Sequence, residues 1–108
     1  MNLRSLRELP RFSAEKMQKV SVFQTERMFY DLYCLEPGQA QKVHSHASSD
    51  KVYLVLEGRA AITLGGEEDE LDVGPNQAVL CPAGVPHGAR NPGDARAILL
   101  VVTTPPPQ

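Results

Sequence analysis

The chain has three histidines, and two of them stand two residues apart in His44-Ser45-His46. The third, His87, comes much later, in the stretch PAGVPHGARN. In a β-strand successive side chains point to opposite faces, so residues two apart share one. On a strand the first two imidazoles therefore stand side by side and can grip one ion. Such a pair alone also fits two hydrogen-bonded surface imidazoles. Asp50 and Lys51 follow the pair closely and are the nearest candidates for moving a proton. Strand parity allows one of them inside, not both, and leaves the choice open.

The elements that must position these groups read as short strands and tight turns. KVSVFQ (19–24) and RMFYDLYCL (27–35) are rich in β-branched and aromatic residues. Glu36-Pro37-Gly38-Gln39 has the proline and glycine of a type II turn. The His-x-His segment is expected on the next strand, and VYLVLE (52–57) is the strongest strand of all. Tyr53 and Val55 share the face of Lys51. Ala60, Ile62 and Leu64 alternate with Arg59, Ala61 and Thr63, and Gly65-Gly66 closes a hairpin. The acidic run Glu67–Glu70 reads as a solvated loop edge. Leu71 and Val73, then 78–81, continue the rhythm, and AILLVVT (97–103) reads as a strand buried on both faces. Leu3, Leu6 and Leu9 suit a turn of helix or an arm laid on the barrel, ended by Pro10. The expectation is one all-β domain, a barrel or two-sheet jelly roll over residues 17–104, with an arm at 1–16 and a tail at 105–108.

Two stretches of this chain resemble the cupin family. Its first motif runs glycine, five residues, His-x-His, three or four residues, glutamate, six residues, glycine. Gly38, His44, His46 and Gly58 fall into that register. Its second motif ends Pro-x-Gly, two residues, His, three residues, Asn, which Pro82, Gly84, His87 and Asn91 match. The resemblance implies a jelly-roll barrel, a double-stranded β-helix, with His44, His46 and His87 holding a divalent transition metal such as iron, manganese, nickel or zinc. It also implies a small-molecule ligand or substrate, and a homodimer to which residues 1–12 could contribute a crossing arm.

Two positions depart from the pattern. Lys51 stands where the family's glutamate belongs, with Asp50 beside it as a possible fourth ligand. Asn76 stands where the second motif opens with glycine; Gly74 lies two residues earlier, so a reshaped turn is expected. Losing a carboxylate should weaken metal affinity, and an inward Lys51 ammonium would repel the ion further. Three functions follow: a metal-dependent enzyme of dioxygenase, isomerase or decarboxylase type; a non-catalytic small-ligand binder with a weakened or empty metal site; or a vestigial pocket in a self-associating barrel.

Composition narrows the field. Eleven basic against thirteen acidic residues give a net charge of −2, with no basic patch dense enough for nucleic acid. No apolar run approaches a membrane span, and residues 1–20 lack the apolar core of a signal peptide. Arg4, Arg7 and Arg11 hint at a transit peptide, but Glu8 and Glu15 argue against it. Cys34 and Cys81 lie far apart in hydrophobic runs; buried free thiols in a reducing cytoplasm are expected.

Overall fold

The computed structural model describes residues 2–66 and 68–107, so Met1 of the arm, Glu67 of the acidic run and Gln108 of the tail lie outside it. Among the described residues nine strands follow a single 3-10 turn at Leu6–Glu8: β1 (Gln18–Gln24), β2 (Phe29–Leu35), β3 (Ala40–His44), β4 (Asp50–Glu57), β5 (Ala60–Leu64), β6 (Glu70–Val73), β7 (Ala78–Cys81), β8 (His87–Arg90) and β9 (Ala97–Thr104). They form a five-stranded sheet in the order β1-β2-β9-β4-β7 and a four-stranded sheet in the order β3-β8-β5-β6. Every described pairing is antiparallel. The two sheets face each other as a barrel, the jelly roll expected from the spacing of strands and turns.

Inside, the composition changes along the strands. The inward residues of β4 run Lys51, Tyr53, Val55, and those of β9 run Thr103, Val101, Leu99, Ala97. Toward the apolar end Tyr53, Val55, Val101, Leu99 and Ala97 join Leu35, Ala60, Ile62 and Val73 in one buried cluster. Burial of this apolar surface stabilises the barrel at one end and leaves its polar groups concentrated at the other. A second cluster lies on the outer face, where Leu6, Leu9 and Phe12 pack on Val20, Val22, Leu32 and Cys34. The arm is thus laid on its own barrel, and Arg4 donates to the Val22 carbonyl oxygen. Strand β9 is not buried equally on both faces. Ala97, Leu99, Val101 and Thr103 are fully buried while Ile98, Leu100 and Val102 are half-buried, because the outer cover over β9 is only partial.

The turns behave as their residues require. Gly38 has φ +82 and Gln39 N–H donates to the Glu36 carbonyl at 3.1 Å, the closure of a Pro-Gly turn. Asn76 takes φ +66, a left-handed conformation that asparagine tolerates better than most residues other than glycine. Glu70 leaves the expected loop edge, joining β6 and clasping Arg90 through two bonds of 2.7 and 2.8 Å. Cys34 and Cys81 are both free and buried.

Asn91 does more than close its own turn. Its amide donates to the Leu35 and Ala95 carbonyls at 3.0 and 2.8 Å, and its Oδ1 accepts from Gly93 N–H at 3.0 Å. Its backbone pairs with Gln39 and Gly38, so one side chain and its peptide groups tie the end of β8 to the turn before β3. Asn91 is 1% exposed, so truncation strands the buried Leu35 carbonyl and removes the part-buried bonds to Ala95 and Gly93. Asn91→Ala should destabilise the fold by roughly 2 to 4 kcal/mol, read by urea denaturation; a loss near zero would show that water replaces these bonds.

Candidate metal centre

The three histidines converge at the polar end of the barrel. His44 ends β3 and His87 opens β8, and the two are direct cross-strand partners. Their ring centroids are 4.5 Å apart, His44 and His46 are 4.7 Å apart, and His46 and His87 are 5.8 Å apart. One ring nitrogen from each lies within 4.8 Å of the other two, compact enough for a single ion to serve all three. His46 lies just past the end of β3 rather than on it. The strand stops because the chain must turn into β4, and the segment is held instead by Gly84, whose N–H donates to the His46 carbonyl at 2.8 Å.

The tautomers are set locally. His44 Nδ1 lies 2.8 Å from the Lys42 carbonyl, and His87 Nδ1 lies 3.0 Å from the Val85 carbonyl. A carbonyl only accepts, so both Nδ1 atoms carry the proton and both Nε2 atoms present lone pairs. His87 is 1% exposed and its Nε2 has no hydrogen-bond partner among the described residues. A buried acceptor left without a partner carries a desolvation cost. An ion in the gap would remove that cost, so the donor set fits a divalent metal. Burial pushes all three imidazoles below their usual range, His87 to about 4. Neutral imidazole is the form that ligates.

The register of β3 against β8 explains the convergence. Gln41 pairs with Ala89 and His44 with His87, so three steps on β3 meet two on β8. This bulge lets Gln41 and His44 both face inward, although residues three apart on a regular strand would point to opposite faces. Gly88 makes room for it: a Cβ there would come within 3.1 Å of Val43 and 3.0 Å of the Gln41 carbonyl.

Lys51 takes the inward position and Asp50 the outward one. Lys51 is 3% exposed, and its Nζ donates to the Tyr33 hydroxyl at 3.4 Å. Burial lowers its pKa to about 8, helped by the nearby Lys19 charge. The Asp50 carboxylate instead accepts from Ala83 N–H at 2.8 Å. Asp50 is therefore not with the histidines; the metal-competent cluster among the described residues is His44, His46 and His87. Tyr53 and Val55 share the inward face of Lys51, as parity requires. Tyr53 donates to Gln41 at 2.6 Å, and Gln41 donates to Tyr33 at 3.1 Å. Burial raises both phenols, Tyr33 to about 12, so they remain protonated.

These groups border a cavity of about 530 Å³, whose lining includes Lys19, Asp31, Tyr33, Gln41, His44, His46 and Lys51. Gln41, Tyr33 and Lys19 are site residues that sequence reasoning missed. Regular alternation counted back from His44 places Gln41 outside, and nothing marked the other two beyond their place on strands.

The depressed His87 value has a pH signature. Between pH 6.5 and about 4 the unfolded chain binds this proton and the folded one does not. The metal-free protein should hold the stability associated with a neutral His87 above pH 6.5 and lose it as pH falls toward 4. Denaturation midpoints across this window should fall less for His87→Gln than for the wild type. Equal slopes in the two proteins would contradict the assignment.

Comparison with known proteins agrees with this geometry. Residues 31–103 match the cupin domain family. An uncharacterized Streptomyces coelicolor protein, SCO3923, is 38% identical over 78 residues, 72% of this chain and 71% of that protein. The crystal structure of TT1209 from Thermus thermophilus superposes with a TM-score of 0.94 at 53% identity, covering 99% of this chain and 100% of that one. A sugar phosphate isomerase of the cupin superfamily from Silicibacter pomeroyi superposes with a TM-score of 0.74 at 26% identity, covering 83% of this chain and 60% of that one. With the paired motifs, the two-sheet barrel and the clustered histidines in view, the chain belongs to the cupin domain family.

Proposed function

We propose that the protein is a metal-dependent enzyme acting on a small oxygen-bearing organic molecule, with His44, His46 and His87 as ligands to a divalent transition ion. The observation that carries this reading is the buried Nε2 of His87, unpartnered among the described residues and clustered with two other imidazoles. When bound, the ion would act as a Lewis acid or oxygen activator on a coordinated ligand oxygen. The chain's own residues supply the rest. The carbonyls of Lys42 and Val85 hold two imidazoles in the ligating tautomer. The Tyr53–Gln41–Tyr33 chain keeps the cavity wall polar and rigid. Lys51, its pKa near 8, is the inward group able to hold or release a proton at Nζ. Among dioxygenase, isomerase and decarboxylase chemistry, isomerisation draws support from the neighbour described as a sugar phosphate isomerase.

A second reading, a non-catalytic binder of small ligands, is favoured by Lys51 itself. A cation in the carboxylate's place weakens the hold on a metal.

Elemental analysis of untagged protein separates the two. The first reading expects near-stoichiometric transition metal in the wild type and its loss in His46→Ala. It also expects that chelation abolishes turnover on a panel of sugar phosphates and hydroxy acids, and that metal restores it. Absence of metal after reconstitution, or ligand binding indifferent to chelation, would favour the binder.

A further inference from the structure

The cavity beside the histidines has an unbalanced charge. Lys19, Lys42 and Lys51 are among its lining residues, against the one acidic residue Asp31, and the Lys19 and Lys51 ammonium groups both lie over the Tyr33 ring, 5.2 and 5.8 Å from its centroid. Lys51 is the most deeply set, 3% exposed on the inward face of β4. An ammonium has three hydrogens to donate. Among the described residues, Nζ has one long bond to Tyr33 and no carboxylate within ion-pair distance. Its surroundings include two ring faces, with Tyr33 and Tyr53 centroids each 5.8 Å away, and Asp31, which acts on it through space without forming an ion pair. Two donors of a buried charge that borders the cavity have no partner among the described residues, which is costly unless an anion receives them. The Tyr33 oxygen already accepts from Gln41 and from Lys51. Its own hydrogen is then free to donate to the same visitor. A divalent ion on three neutral imidazoles would add two more positive charges to this space, with no protein carboxylate among the ligands.

We infer that Lys51 and Tyr33 form the seat for a carboxylate of the ligand, so that the substrate is a small organic acid. This deepens the metal-centre reading and rests on it only for the ligand's second, metal-facing oxygen. The ligand supplies the negative charge at the position where the family's motif supplies a glutamate. Lys51 is on this view a specificity residue: it selects anionic ligands, and it disfavours metal until one arrives.

Calorimetric titration at neutral pH tests this with formate, acetate and pyruvate, and with formamide, acetamide and pyruvamide as neutral counterparts. Each is titrated into metal-free and zinc-loaded protein. The acids should bind the wild type and the amides should not. Lys51→Met, which keeps the length and removes the charge, should weaken the acids by about tenfold or more in both states. Tyr33→Phe should weaken them severalfold. Lys51→Glu should abolish acid binding and tighten zinc. Thermal unfolding of each variant confirms that it is folded, and Tyr33→Phe decides the matter if Lys51→Met is not. Acids that bind Lys51→Met and Tyr33→Phe as they bind the wild type, or bind none of these proteins, would overturn the inference. Acid binding that depends on Lys51 in a protein that never takes up zinc would sink the metal centre and leave the carboxylate seat standing. Zinc binding without acid selectivity would do the reverse.

Discussion

Two imidazoles in this barrel are tethered through Nδ1 to the carbonyl two residues earlier in the chain, and the rest of the site depends on those bonds. A free imidazole can carry its proton on either nitrogen and rotate about two torsions. Here the carbonyls of Lys42 and Val85 remove that freedom and leave Nε2 as a lone-pair donor. The price in desolvation falls on His87, whose Nε2 is buried without a partner among the described residues. Backbone geometry therefore creates the demand for an ion, and the demand is met only if the tethers hold.

The tethers in turn depend on how β3 meets β8. The bulge between Gln41 and His44 brings both residues to the interior, and Gly88 tolerates the close backbone that results. Gln41 then links Tyr33 to Tyr53, and Tyr33 receives the hydrogen bond from Lys51. A single irregularity in one pair of strands thus couples the histidines to the lysine wall opposite. The apolar end of the barrel, from Val55 and Leu35 to Ile62 and Leu99, gives these polar groups a rigid frame.

Much of this was legible in the sequence. Hydrophobic alternation and turn residues define the strands, and two motifs in order bring the three histidines together. What escaped had physical reasons. Period-two counting cannot see a bulge, so Gln41 was missed. The choice between Asp50 and Lys51 depends on which one pairs into β4 facing inward. Asp50 is drawn outward by the free N–H of Ala83, in a turn more than thirty residues away. The departure at Asn76 needed only the fact that asparagine tolerates a positive φ. The partial cover of β9 follows from an arm whose leucines gave no direction of approach.

The central claim is that the histidine rings are held ready, before any ligand arrives, as Nδ1-protonated, Nε2-directed donors. Long-range proton–nitrogen correlation spectra of the metal-free protein at neutral pH test it directly, ring by ring. The account predicts neutral imidazoles with the proton on Nδ1 for both His44 and His87. An Nε2-protonated tautomer at either ring would mean that the tether is not made and that the cluster is not built to hold an ion.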